Sequence, residues 1–231
     1  MKLVRRIIFL VILVVMSIAF LVIGNGYDMY KNAIEEIPIA EKINSIRQKD
    51  NYTRFEELPQ MYINAVISVE DHRFYGHNGI DLIAIGRAVV NDIKAMKYVE
   101  GGSTITQQLC KNIYFTQEKK FNRKVAEVFM AFEMEEELDK KDIFELYINT
   151  SYFGDGYTTA KEACRGYFHK ELKDMTDGEC VLLAGIPNAP SVYAPTKNPD
   201  LAKQRQKQVL KKMVKYKYLS EEEAERISQE K

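Results

Sequence analysis

Residues 59–81 read PQMYINAVISVEDHRFYGHNGID, an apolar run that ends in a stretch dense with reactive side chains. Pro59 suits the opening of a helix, and Tyr62, Ala65, Val66 and Val69 recur at i, i+3, i+4 and i+7, so the spacing predicts a helix over 59–69. Glu70 then falls at its C-terminal end, above Ile63, Val66 and Ile67. From Glu70 to Gly79 the chain carries two carboxylates, two histidines, one arginine and two glycines. A carboxylate partly desolvated by aliphatic neighbours at the negative end of a helix dipole suits a general acid or base. The plainer alternative is that Glu70 or Asp71 pairs with Arg73 and ends the helix.

Around this centre the chain has 231 residues, 46% of them hydrophobic, and 33 basic residues against 33 acidic ones. One folded domain of ordinary size is expected, and no global charge imbalance points to nucleic acid. Cys110, Cys164 and Cys180 are widely spaced, with no CxxC and no histidine pair. They indicate neither a zinc site nor a disulfide framework, and read as buried thiols.

Upstream, Ile7–Ile23 (IIFLVILVVMSIAFLVI) is an uncharged run long enough to cross most of a bilayer as a helix. Lys2, Arg5 and Arg6 precede it, which places residues 1–6 in the cytoplasm, a membrane anchor over 7–24 and the rest outside. No small-residue cleavage site follows the run, so an uncleaved anchor is expected rather than a signal peptide. Residues 25–58 read as a juxtamembrane stalk with a short helix around 33–47, and 59–231 as the extracytoplasmic domain.

Downstream, Asp81 can cap a helix with Leu82, Ile85, Val89 and Ile93 on one face. That face either packs on a core or lies against a bilayer and admits a lipid-linked substrate. In Glu100–Asn112, EGGSTITQQLCKN, a glycine pair breaks the helix. Hydroxyls (Ser103, Thr104, Thr106), amides (Gln107, Gln108) and the Lys111 ammonium follow. Such a cluster suits phosphate or sugar hydroxyls, or simply caps a helix.

Residues 122–138 predict a helix capped by Asn122 with Val125, Phe129 and Phe132 on its apolar face. Glu127 lies beside Arg123 and Lys124, as an exposed ion pair or as part of a site for a leaving pyrophosphate. Helices follow over 140–153, then, past a turn at Tyr152–Gly156, up to about 168, and after the Thr176/Glu179 capping box, the last apolar all round and buried. Pro187, Pro190, Pro195 and Pro199 predict an extended linker. A basic amphipathic helix then runs to about Lys215, and Ser220 caps a short final one. No strand pattern and no repeat is evident.

These residues, taken in order, resemble the glycosyltransferase domain of peptidoglycan synthases, family 51, in its monofunctional membrane-anchored form. The E-D-x-x-F-x-x-H-x-G pattern is met by Glu70, Asp71, Phe74, His77 and Gly79. G-G-S-T-I-T-Q-Q-x-x-K-N is met from Gly101 to Lys111 and Asn112, and R-K-x-x-E by Arg123, Lys124 and Glu127. A fourth motif resembles Glu145 to Gly156, and a fifth Glu179 to Pro195. The chain departs from the family at Tyr157–Ala163, and at Lys119, where many members carry an arginine.

The resemblance implies a mostly α, lysozyme-like helical domain with a small membrane-apposed lobe, preceded by one transmembrane helix. It implies polymerisation of lipid II with inversion to a β-1,4 link and release of undecaprenyl pyrophosphate. Glu70 would be the general base. Lys111, Arg123 and Lys124 would neutralise the pyrophosphate, and Ser103, Gln107 and Gln108 would bind phosphate or sugar. Asp71, Phe74, His77, Thr104, Asn112 and Lys119 complete the expected substrate site. Glu127 is grouped with Glu70 as catalytic, whether it orients the acceptor, organises the cations or helps hold a metal. No metal ligands are expected, and a divalent cation, Mg or Mn, enters only as an assistant bound with pyrophosphate. The implied partners are lipid II, the undecaprenyl-linked glycan chain and the bilayer, with room for other cell-wall synthesis proteins and none for nucleic acid. A lysozyme-like hydrolase and a non-catalytic membrane-anchored scaffold are the alternatives.

Overall fold

A computed structural model describes residues 2–96, 101–115 and 121–230, and among them there is no strand. The helices are α1 (Lys2–Glu36), α2 (Ile39–Arg47), α3 (Gln60–Glu70), α4 (Leu82–Ala95), α5 (Ile105–Tyr114) and α6 (Phe121–Glu137). The C-terminal half adds α7 (Lys140–Ile148), α8 (Ala160–Phe168), α9 (Asp177–Gly185), α10 (Pro190–Tyr193), α11 (Pro199–Lys215) and α12 (Glu221–Ser228). The domain is mostly α, as its periodicities dictate.

At the centre lies α3, with Tyr62, Ile63, Ala65, Val66, Ile67, Ser68 and Val69 all buried. It packs against α9 and α11, while α5 packs on α6 and α7. The expected capping boxes at Thr176 and Ser220 are both formed, and Asp81 caps α4 by accepting from the Ala84 amide at 2.8 Å. Each satisfies amides that have no partner within their own helix.

The packing departs from the sequence reading in four places. Residues 25–58, expected as a stalk, give Tyr30, Ile39, Ile43, Ile46 and Leu58 to the buried core. The apolar face of α6 is rotated: Ala126, Met130, Ala131 and Met134 are buried with Glu127, while Phe132 is 39% exposed. Asn122 stands inside α6, which begins at Phe121. The proline-punctuated linker is not extended, since Ile186–Asn188 forms a 3-10 turn and Pro190 opens α10. Proline at the first turn of a helix is favourable, so the same residues punctuate without straightening the chain.

Two apolar surfaces remain uncovered. The first part of α1 is exposed on all sides and is long and apolar enough to cross a membrane. On α4, Ala88 is the one buried residue, while Leu82, Ile83 and Ile93 stand 71, 69 and 70% exposed. The core-packing alternative for that helix therefore fails.

Candidate functional site

Glu70 is the last residue of α3 and opens into a groove of about 650 Å³. Its side chain is only 9% exposed. Oε2 accepts from the Gln108 amide at 2.9 Å, and the Arg205 guanidinium approaches Oε1 to 3.9 Å. Oε1 has no hydrogen bond among the described residues. Gln108, on α5, is oriented in turn by the Tyr147 hydroxyl, 3.5 Å from its oxygen. The carboxylate is thus held by one hydrogen-bonded oxygen, while the other is buried without a hydrogen bond and faces Arg205.

Around it the groove is cationic. Lys111 and Lys124 line it with Ser103 on one side, and Arg205, Lys212 and Lys215 on the other, with Arg87 from α4. Among the described lining residues Glu70 is the one carboxylate. Burial pulls the Lys111 ammonium below the usual lysine range, and Lys124 and Arg123 press the same way against the attraction of Glu127 and Glu70. Such a group is short of counter-charge, which favours an anionic ligand.

Glu127 is fully buried and does not line the groove. Arg123 Nε lies 3.0 Å from Oε1 and Lys124 Nζ bonds Oε2, while Lys124 also donates to Ser103 Oγ at 3.0 Å. Of the three roles open to Glu127, the contacts match the organisation of the cations. Both its oxygens face cations, although Oε1, like Glu70 Oε1, makes no hydrogen bond among the described residues.

Asp71, Phe74, His77, Thr104 and Gln107 do not line the groove. Asp71 Oδ2 accepts from the first amide of α5, Ile105, at 3.0 Å and from His77 Nε2 at 2.9 Å. A carboxylate there meets the positive end of the helix. Phe74 is wholly buried, beside Phe144 and under the Lys140 ammonium, 4.6 Å from its ring centre. Thr104 donates to the Gly79 carbonyl at 2.6 Å and closes a capping box with Gln107. Gly79 has φ +78°, and a Cβ there would sit 2.9 Å from the Ala131 carbonyl oxygen. Its amide donates to Glu135, which also accepts from Thr106 and Lys140. These residues therefore tie the end of α3 to α5, α6 and α7, which is a reason for their pattern other than ligand contact. Asn112 is likewise absent from the described lining. Lys119 lies outside the described residues. Arg73 bonds Asp81 through Nε at 2.9 Å, not Glu70 or Asp71.

Sequence reasoning missed the far wall. Arg205 is 9% exposed, donates to the Gly185 carbonyl at 3.2 Å and lies over the Tyr193 ring. The signal was available: Ala202, Arg205, Gln206, Val209 and Met213 share the buried face of α11, so an arginine occupies a core position. His72 stacks on Tyr216 with ring centres 4.1 Å apart. Burial and the Arg87 and Arg73 charges push its imidazole below the usual histidine range, against Asp81 and Asp71. No group of three or more histidine, cysteine, aspartate or glutamate residues able to hold a metal occurs among the described residues.

The Transglycosylase family model matches residues 37–214. Penicillin-binding protein 1F of Bacillus subtilis (strain 168) is 48% identical over 168 residues, covering 73% of this chain and 24% of that protein. Penicillin-binding protein 1A of Neisseria lactamica is 42% identical over 173 residues, covering 75% of this chain and 22% of that protein. The crystal structure of penicillin-binding protein 1A from Haemophilus influenzae aligns with 55% of this chain and 16% of its own at 25% identity, with a TM-score of 0.38. This chain thus spans about a quarter of the length of the curated relatives it matches. With a family model over most of its length, and relatives this similar across the segment that holds Glu70 and its cations, the chain belongs to the transglycosylase family.

Proposed function

We propose that this chain polymerises peptidoglycan glycan strands, transferring the growing lipid-linked chain onto the 4-hydroxyl of lipid II and releasing undecaprenyl pyrophosphate. The observation that carries the reading is Glu70, a shielded carboxylate with one oxygen that makes no hydrogen bond, the one acidic residue among the described lining of a groove that also carries Arg87, Lys111, Lys124, Arg205, Lys212 and Lys215. As general base it takes the proton of the attacking 4-hydroxyl while Gln108 holds the other oxygen. Attack on the anomeric carbon from the face opposite the leaving group inverts it to a β-1,4 link. Lys111 and Lys124 meet the charge that develops on the departing pyrophosphate, and Arg123 and Glu127 fix where Lys124 stands.

The exposed face of α4 supports a lipid-linked substrate. Gly102 packs so closely on α4 that a Cβ there would come within 3.1 Å of Ile85 Cα, so the loop bearing Ser103 rests on the apolar helix. A polyprenyl chain along α4 and the bilayer would bring its diphosphate to Lys111 and Lys124. In this reading α1 crosses the membrane once, with residues 1–6 cytoplasmic and the groove outside. A divalent cation would be held by the substrate's phosphates, since the described groove offers one carboxylate rather than a cage.

The test is incubation of the detergent-solubilised protein with labelled lipid II, followed by separation of polymer from monomer. The parent is expected to give polymer and free lipid pyrophosphate, and Glu70→Gln to lower the rate by about 10²–10⁴-fold. Equal polymer from both would remove Glu70 as the base. Shortened glycan without lipid pyrophosphate would turn the reading to a hydrolase, and no turnover to a scaffold.

A further inference from the structure

Helix α1 runs without interruption for 35 residues, from the exposed apolar segment into the folded domain. Gly26 and Tyr30 are its buried residues, and only Gly24 and Asn25 separate Gly26 from Ile23, the last residue of the uncharged run. At Gly26 the backbone meets the first turns of α6 so closely that a Cβ would lie 2.5 Å from Val125 Cβ and 2.9 Å from the Asn122 carbonyl oxygen. Further along, Tyr27 meets Phe129 edge-on at 5.3 Å, Tyr30 stacks on it at 5.8 Å, and the Tyr30 hydroxyl bonds Glu133. At the far end, the Tyr114 hydroxyl of α5 donates to the Ile37 carbonyl at 3.1 Å.

The helices that α1 and the residue just after it hold, α6 and α5, carry Lys124 and Lys111. On α6, Asn122, Val125, Phe129 and Glu133 form one row. At about 100° per residue, Arg123, Lys124 and Glu127 lie on roughly the opposite face. Lys111 stands on α5, one turn before Tyr114. Thus the thickness of α6 separates the anchor from Lys124, and α1 is continuous from the apolar segment to that contact.

We propose that α1 is a height gauge: through Gly26 on α6, and through Ile37 just past its end on α5, it fixes how far Lys111 and Lys124 stand from the bilayer surface. They then meet a diphosphate held there by its lipid chain. The proposal rests on the membrane-anchored reading above. It makes Gly26 a positioning residue, far from the reacting atoms.

The experiment uses the full chain in phosphatidylglycerol–phosphatidylcholine vesicles. Substrate is supplied either as long-chain lipid II in the same bilayer or as a short-chain, water-soluble analogue. Inserting one helical turn of alanines after Ile23 lifts the domain by about 6 Å and keeps its facing. Expected is a loss of up to about a hundredfold on bilayer substrate, with the soluble analogue turned over at the parental rate. A second variant, with a glycine–serine segment of the same length, should recover much of the bilayer rate because it lets the domain settle. Parental bilayer rates in the alanine variant would overturn the gauge, as would an equal loss on both substrates. A parent that turns over neither substrate would overturn the functional reading and this proposal with it.

Discussion

Glu70 and Glu127 are both acidic, both largely shielded from water and both set among cations, yet the fold treats them oppositely. Glu70 ends a helix, is held by one amide and lines the groove. Glu127 sits inside a helix with both oxygens against Arg123 and Lys124. Two cations in direct contact tie Glu127 to its partners, whereas Glu70 has the Arg205 guanidinium at 3.9 Å. On the proposed function, that difference separates the general base from a positioning residue.

The comparison sharpens most if Glu70→Gln removes turnover by about 10²–10⁴-fold while leaving the unfolding free energy within about 1 kcal/mol of the parent. Glu127→Gln should do the reverse in emphasis. Breaking a fully buried pair costs about 3–5 kcal/mol, and because Lys124 is half exposed a loss of roughly 2–4 kcal/mol is expected in chemical denaturation. A stable Glu127→Gln protein without activity would place Glu127 beside Glu70 and break the contrast. Lys111→Met tests the cations. Since burial lowers the folded-state value of this ammonium, its charge opposes folding below the ordinary lysine range and ceases to do so as pH rises above it. At neutral pH the variant should melt higher than the parent and turn over up to about a hundredfold more slowly.

The smallest effect is expected at Asp81. Burial alone would push its carboxyl up, but hydrogen bonds from Arg73 and the Ala84 amide, with the Arg73 charge, bring it below the usual range. Its contribution is therefore present above the ordinary aspartate value and lost as pH falls through the lowered one. Asp81→Asn should cost about 1–2 kcal/mol at neutral pH, and the gap should close below about pH 4 in acid titrations followed by circular dichroism. A gap independent of pH would mean that Asp81 acts by shape rather than charge.

Local signals carried much of this fold. Apolar spacing placed α3 and put Glu70 at its end, and cap residues marked the starts of α4, α9 and α12. Ser103, Gln108, Lys111 and Lys124 were also legible as groove residues, because glycine, hydroxyl, amide and cation types cluster near them in the chain. What was not legible is direction. Asp71, Phe74 and His77 share a motif with Glu70 but point into the scaffold, because the turn after α3 reverses the chain against α5. Arg205 and Tyr216 reach the groove from α11, more than a hundred residues later, through packing that no short-range pattern encodes. Phe132 was misplaced because α6 buries Glu127 where periodicity alone would put an apolar side chain.

The three cysteines carry a consequence for the sulfur chemistry of the domain. Cys110, Cys164 and Cys180 are free and buried. Burial pushes the Cys164 and Cys180 thiols up to about 12 each, with nearby carboxylates adding to the effect, and burial raises Cys110 well above its usual range. The thiolate is the form that attacks disulfides and peroxides, and at neutral pH almost none is present. Oxidation at these three cysteines is therefore disfavoured in the folded domain by packing, and unfolding would open them to cross-linking.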